Sequence, residues 1–416
     1  MTKSKTKVKL LAPAGSMDCV TAAINAGADA IYFGVEQLNM RTRSSGGFSI
    51  GDIKEVVRIC HASGVKAYLT LNTIMYDHDL RLLQLILKEA REQGIDAVIA
   101  ADVSVFQQCM ALGIPVHVST QANISNLAAV EFYARFSDLV VLARELTFQQ
   151  IAHITSEIKR KDIRGVSGEP MQVEIFVHGA LCMAVSGKCY LSLHSQWASA
   201  NRGACVQNCR RPYKVADAET GEELLIDNEY IMSPKDLCTI GILDQVIETG
   251  VDVLKIEGRS KGADYVFETT SCYKEAIASI EAGTYTPDKK TVWLNRLNAV
   301  YNRGFWEGYY AGHSTGEWTS TPGSSATEKK IYVAKGVKYY GKIGVGEFDI
   351  ETGSLEQGDI VMLIGNAHGM VKMKLEPLMV NGQPSEKAKK GDKITIPVAT
   401  KVAPGDKLYK ITEANA

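Results

Sequence analysis

Eight short apolar runs recur along the first 256 residues: VKLLA (8–12), DAIYF (29–33), VKAYLTL (65–71), IDAVIA (95–100), PVHVS (115–119), DLVVL (138–142), QVEIFV (172–177) and VDVLKI (251–256). Each is short and apolar on both faces. That is the pattern of a parallel strand covered on both sides, not of a strand with one wet face. Several share a lead-in, as in AGADAIYFG, GIDAVIAAD and TGVDVLKIEG, where a helix ends at Gly and a short turn enters the strand. Helical patterns fill the gaps, among them SMDCVTAAINAG, with Ser16 at the N-cap position, and IGDIKEVVRICHASG. Eight strands alternating with helices over about 280 residues predict a (β/α)8 TIM-like barrel. A doubly wound open sheet is the alternative. No G-x-G-x-x-G follows the first strand, so dinucleotide binding has no support.

In such a barrel, chemistry sits at the C-terminal ends of the strands. The sequence places there Pro13, Ala14, Gly15, Tyr32, Gly34, Asn72, Asp102, His117, Ser119, Gln121, Arg144, Glu145, His178, Lys255, Glu257 and Arg259. For most of these the plain role is capping a loop or closing the barrel. Between the seventh strand and the next helix, expected from Ser233 onward, lies an insert at 178–232 without periodicity. A connection that long is functional or disordered. Its Cys, His, Arg and Trp content argues against disorder.

The domain division expected is a barrel over 1–320 with the Cys-rich insert, a linker at 321–330 within the Ser/Thr/Gly-rich STGEWTSTPGSSATEKK, and a small all-β barrel over 331–416. Gly-Asp recurs at 358–359, 391–392 and 405–406, each just before an apolar run, as turns between strands would.

Composition narrows the class. With 45% hydrophobic and 22% charged residues, the chain is neither disordered nor collagen-like. Its 46 basic and 47 acidic residues nearly cancel, so a nucleic-acid partner requires a local basic patch. The start, MTKSKTKVKLLAPAG, has Lys at 3, 5, 7 and 9, but its apolar run is too short for a signal peptide. No stretch approaches the roughly twenty apolar residues of a membrane helix. The expectation is a cytoplasmic protein without a membrane partner, whose nine Cys stay reduced.

Four of those nine, Cys182, Cys189, Cys205 and Cys209, fall within 28 positions of the insert, beside Gly179, Gly187 and Gly203. Soft thiolates select zinc or an iron–sulfur cluster. Structural zinc favours close Cys pairs at both ends, and here only 205 and 209 are close. A cluster held from several loops tolerates wider spacing. Iron–sulfur therefore ranks first, zinc second and four unligated thiols third. Cys19, Cys60, Cys109 and Cys272 read as buried helix residues, as does Cys238 in SPKDLCTIG. The insert is also locally basic, with Arg202, Arg210, Arg211 and Lys214 interleaved by Tyr190, Trp197 and Tyr213. Arg with aromatic planes suits unstacked bases. The plainer reading is that these charges balance a cluster.

The run from Glu174 through His178 and Cys182 to Gly187-Lys-Cys189-Tyr-Leu-Ser192 resembles the signature of the collagenase-like peptidase family of unclassified catalytic type. LLAPAGS, AIYFGVEQLNMR, VSTQANISN, SPKDL and KIEGRSK match its habits in its order, so the resemblance covers about residues 7–320. It implies two activities. The family name implies a peptidase. Members with the closest look are RNA hydroxylation proteins, which make 5-hydroxyuridine in tRNA or 5-hydroxycytidine in rRNA; others hydroxylate ubiquinone precursors. The resemblance implies a 4Fe-4S cluster on Cys182, Cys189, Cys205 and Cys209, and prephenate as hydroxyl donor. No residue carries over as a protease nucleophile.

The residues themselves lean the same way. There is no H-E-x-x-H and no G-x-S-x-G. His178 and Cys182 are four apart, but Gly179 intervenes; Ser186 and Ser192 have no obvious base. The candidate catalytic set is Glu257 as acid/base, Arg259, Lys255, and His117 and Gln121 as base contacts. Arg41 and Arg144, with Lys255 and Arg259, are candidate anchors for a carboxylate-bearing co-substrate or phosphates. Expected partners are tRNA, with rRNA second, and an electron-donor protein. A peptidase and a non-enzymatic cluster protein on an RNA-binding scaffold remain the alternatives.

Overall fold

The computed structural model describes residues 7–41, 47–214, 216–221, 230–312, 315–376 and 378–414. Lys3, Lys5, residues 222–229 of the expected insert and Ser314 lie outside the described residues.

All eight apolar runs are strands. β1 (Lys9–Pro13), β2 (Ala30–Phe33), β3 (Lys66–Leu71), β4 (Ala97–Ala100), β5 (Val116–Val118), β6 (Leu139–Val141) and β7 (Gln172–Gly179) pair in parallel in chain order. The short β8 (Asp236–Cys238) follows in the chain, and β9 (Val253–Ile256) then closes the ring by pairing in parallel with both β7 and β1. The result is a closed eight-stranded parallel barrel. Six helices separate the first seven strands: α1 (Met17–Asn25), α2 (Asp52–Ala62), α3 (Leu80–Glu92), α4 (Val103–Leu112), α5 (Leu127–Tyr133) and α6 (Phe148–Arg160). Each buries one stripe. In α3 the stripe is Leu83, Ile86, Leu87 and Ala90, at helical spacing, and each fully buried Leu or Ile contributes roughly 1.5–3 kcal/mol. Asp102 and Asn126 cap α4 and α5 by accepting from backbone N–H groups at 2.9 Å. Ser16 stands at the N-cap position of α1, but its hydroxyl turns to Asp18 and Cys19 and makes no cap bond.

The connection after β7 holds a short helix, α7 (Leu191–Gln196), and two single turns at Ala200–Arg202 and Asn208–Arg210. The segment expected to start a helix at Ser233 instead forms β8, which pairs antiparallel to the overhanging end of β7 and parallel to β10 (Phe305–Trp306). The overhang leaves unpaired backbone groups, and a three-residue strand satisfies them where a helix could not. The helix begins later, as α8 (Leu243–Glu248), followed by α9 (Ala263–Glu281) and α10 (Pro287–Ala299). Among the described residues, no helix is long and apolar enough to cross a membrane.

Beyond residue 327 the chain is antiparallel β. An eight-stranded sheet, which includes Glu328–Tyr340, Ile360–Gly365, Gly369–Lys374 and Lys407–Glu413, packs around its own apolar cluster of Val333, Phe348, Leu363, Ile394 and Leu408. The three Gly-Asp turns occur as expected: Gly358, Gly391 and Gly405 have φ of 92°, 93° and 95°, and a strand follows each. The hairpin 360–374 docks on α1. Met362, Ile364 and Met370 join the barrel's apolar core, and Asn25 Nδ2 donates to His368 O at 3.0 Å.

Candidate functional site

Strand alternation turns every second residue inward, so the barrel ends deliver a ring of side chains to one mouth. With the loop 180–189 they enclose about 820 Å³ of empty space, counted out to bulk solvent. Its walls include Arg41, Arg144, Lys255, Glu257, Arg259 and Gln121, beside Cys182, Cys189 and Cys205. Tyr32, Thr70, Asn72 and Phe176 complete much of the lining.

Glu257 is the centre of charge. Arg41 donates to its Oε1 from Nε at 3.0 Å and Nη2 at 2.5 Å, and the Tyr32 hydroxyl reaches its Oε2 at 3.1 Å. Burial pushes this carboxyl up, but the guanidinium groups of Arg41, Arg259 and Arg144 prevail and hold it down at about 2. Arg259 donates from Nη1 to Thr70 Oγ1 at 2.5 Å and to Asn39 Oδ1 at 3.1 Å. It passes over Gly34, where a Cβ would lie 2.7 Å from that nitrogen, so a larger residue would block it. Lys255 forms a fully buried pair with Glu174 at 2.7 Å and sits over the rings of Tyr32 and Phe176. Arg144 stacks on Phe176 at 3.8 Å and donates to Ala180 O at 2.8 Å. Four cations thus face two carboxylates. Arg144 Nε, Arg259 Nε and Glu174 Oε2 are buried without a hydrogen-bond partner. An anionic ligand would satisfy the Arg259 donor; the Glu174 oxygen, itself an acceptor, calls for a donor instead.

Two histidines expected at the rim are elsewhere. His117 is mid-strand in β5, turned into the barrel edge-on to Tyr68 with ring centroids 4.6 Å apart, and does not line the cavity. Burial, reinforced by Lys255, pushes its pKa down to about 3. The rim position belongs to Ser119 and Gln121. Gln121 accepts from Ser119 Oγ and from Asn72 Nδ2 (3.1 Å), and donates to Ser186 Oγ at 3.4 Å. His178 is buried in a cage of Tyr265, Tyr273 and Phe305, and burial lowers it to about 3. Sequence reasoning missed Glu174 and Thr70, which fall below the strand ends; strand alternation from Phe176 and Asn72 would have found both.

Cys182 follows β7, Cys189 precedes α7, Cys205 precedes the last turn of the insert and Cys209 lies within it. The Cys209 thiol is raised first by burial and further by the charges of Cys182, Cys205 and Cys189, while Arg210 pulls it down; the four thiols therefore sense one another. Cys205 Sγ accepts from Gln207 N–H at 3.4 Å and from Ser192 Oγ at 3.7 Å. Among the described residues, no group of three or more His, Cys, Asp or Glu is arranged to hold a metal ion. The donor types themselves, three thiols lining the mouth with Cys209 within electrostatic reach of them, are those a soft-ligand group such as an iron–sulfur centre uses. The other five cysteines are buried, and burial pushes Cys60, Cys109 and Cys238 up to about 12, so they are inert.

The basic residues of the insert divide. Arg202 bonds Ile74 O at 3.0 Å and the Asp79 carboxylate, and lies 4.2 Å over the Tyr76 ring. Arg210 bonds Ser233 Oγ (2.9 Å), Pro234 O (2.5 Å) and Leu181 O (2.5 Å). Both clamp the insert to the barrel rather than face solvent. Arg211 remains exposed, as do Tyr190 and Trp197, the latter 93% exposed.

Residues 15–320 match the model of peptidase family U32. A protein named collagenase from Porphyromonas gingivalis is 50% identical over 402 residues, 97% of this chain and 97% of that protein. The tRNA hydroxylation protein P1 of Bacillus subtilis is 34% identical over 316 residues, covering 74% of this chain and 71% of its own. A 23S rRNA 5-hydroxycytidine synthase of Escherichia coli is 35% identical over 287 residues, 67% of this chain and 41% of that protein. With the match running through the barrel, the mouth and the cysteine insert, the chain belongs to peptidase family U32.

Proposed function

We propose that the protein is an RNA-modifying hydroxylase, acting at C5 of a pyrimidine in tRNA, with rRNA as the second choice. One observation carries the reading: a cation-rich cavity at the barrel mouth shares its wall with three cysteines of a four-thiol set. The relatives named for tRNA and rRNA hydroxylation support it. Cys182, Cys189, Cys205 and Cys209 would hold a 4Fe-4S cluster, which supplies one-electron redox chemistry when bound. Arg41, Arg144 and Arg259 would grip the carboxylates of a prephenate-type donor by charge-assisted bonds. Glu257 stays ionised and aims Arg41, and the Asn72–Gln121 amide pair offers donors and acceptors to a base edge. Cys182 is exposed, so an electron-donor protein would approach from that side.

The collagenase name favours a peptidase as the second reading. Its difficulty is chemical: among the described residues no histidine lines the mouth cavity, and the Ser186 and Ser192 hydroxyls are engaged with Gln121 and with Cys205. Deleting the gene and measuring tRNA and rRNA nucleosides by mass spectrometry tests the proposal. Loss of a 5-hydroxypyrimidine is expected; unchanged levels without a redundant paralogue overturn it. Anaerobic purification should yield a brown protein absorbing at about 400 nm. A colourless protein with stoichiometric metal would mean zinc. Gelatin cleavage that survives Cys-to-Ala changes at all four positions would restore the peptidase.

A further inference from the structure

A second cavity lies against the first. Thr120, Arg144, Cys182, Val185 and Ser186 line both, so one thin wall divides them. Beyond that wall the lining turns aromatic, with Trp306, Tyr309 and Trp318. Tyr309 packs edge-on to Trp306, with centroids 5.1 Å apart, and Trp318 is 37% exposed. Gly316 keeps the space between them open, since a Cβ there would meet Tyr309 Oη at 3.3 Å and the rings of Trp318 and Trp306 at 3.7 and 3.8 Å. Two buried donors on residues of this lining have no partner: Trp306 Nε1 and Arg144 Nε. A buried N–H is normally paired, so two beside one cavity point to a ligand carrying acceptors.

Resting on the RNA reading above, we propose that this cavity takes an unstacked nucleobase next to the nucleotide presented at the mouth. Aromatic planes stack on any base, and the two bare N–H groups meet ring-nitrogen or carbonyl acceptors on its edge. Glu145, also in the lining, accepts from a base amino or imino group. Arg144 joins the two sites. Its Nη1 is fixed on Ala180 O and its plane on Phe176 in the first cavity, while Nε remains for the second. Two neighbouring nucleotides would thus be splayed on either side of the 182–186 wall, which presents the target base to the cysteines.

The test uses the full chain, purified anaerobically, and unmodified tRNA from a strain lacking the gene. Trp318→Ala and Tyr309→Ala should each weaken tRNA binding about tenfold, the size of a lost base–aromatic stack. Trp306→Phe keeps a plane but loses the N–H, and should weaken binding less while changing the preference among short oligonucleotides of different base. Absorbance and thermal melting report whether each variant is folded; Trp318→Leu replaces an alanine variant that is not. If wild type binds tRNA and the folded variants bind it equally well, the cavity is not a base site and the RNA reading stands. If wild type neither binds nor hydroxylates RNA, the RNA reading fails, and the base site with it. If Trp318→Ala lowers peptide cleavage but leaves tRNA binding intact, the occupant is a peptide and the proposal is overturned.

Discussion

At Glu257, burial and charge oppose each other, and the three guanidiniums win. The folded carboxyl titrates at about 2 against an ordinary 4.5, so its stabilising contribution is complete above the ordinary value and is lost as pH falls toward 2. It is ionised throughout the neutral range. The proton-donor half of the acid/base role expected from sequence is therefore replaced by that of a fixed anion. The wild-type rate should show no limb from Glu257 above pH 4.5. Glu257→Gln should cost about 100-fold in kcat/KM through a misplaced Arg41, read in single-turnover assays. Below it, Lys255 and Glu174 are 5% and 1% exposed. Removing either partner alone should cost about 3–5 kcal/mol by urea denaturation, because an uncompensated charge stays buried. The double change Lys255→Met with Glu174→Leu should cost less than the sum.

The insert is an element without regular structure, and its order depends on two arginine clamps. Arg210 ties Leu181, beside Cys182, to Ser233 and Pro234 at the entry to β8. With the proposed cluster on the insert, Arg210→Ala should lower bound iron and the absorbance at about 400 nm, whereas the exposed Arg211→Ala should leave both unchanged. The sequence marked this stretch correctly as cysteine-rich and basic. It could not tell Arg210 from Arg211, since which one is clamped depends on carbonyls far along the chain. The same holds for SPKDLCTIG. Its short apolar core is compatible with helix or strand, and only the free edge of β7 chose.

At the scale of the whole molecule, the C-terminal sheet is bound to the barrel through a hairpin on α1, and none of its described residues lines either cavity. Gly369 is the tightest point: φ is +71°, and a Cβ would lie 2.6 Å from Ala22 N. Gly369→Val should separate the two bodies, giving two thermal transitions and faster proteolysis in the 319–327 segment. The αL penalty alone is about 1–2 kcal/mol, with the backbone clash added.

The sequence by itself determined the barrel, because strand existence and burial are written in local periodicity and in the repeated Gly turns. It also determined that four thiols share one insert, because spacing is a property of the chain. Only the tertiary structure decided which side chains reach the mouth. His117 and His178 are near strand ends in sequence, yet one faces the barrel interior and the other an aromatic cage. Trp306, Tyr309 and Trp318 stand over a hundred positions from Cys182, yet share a cavity with it. Direction along a closed ring, and contact between distant segments, follow from register and barrel closure, which no local pattern encodes.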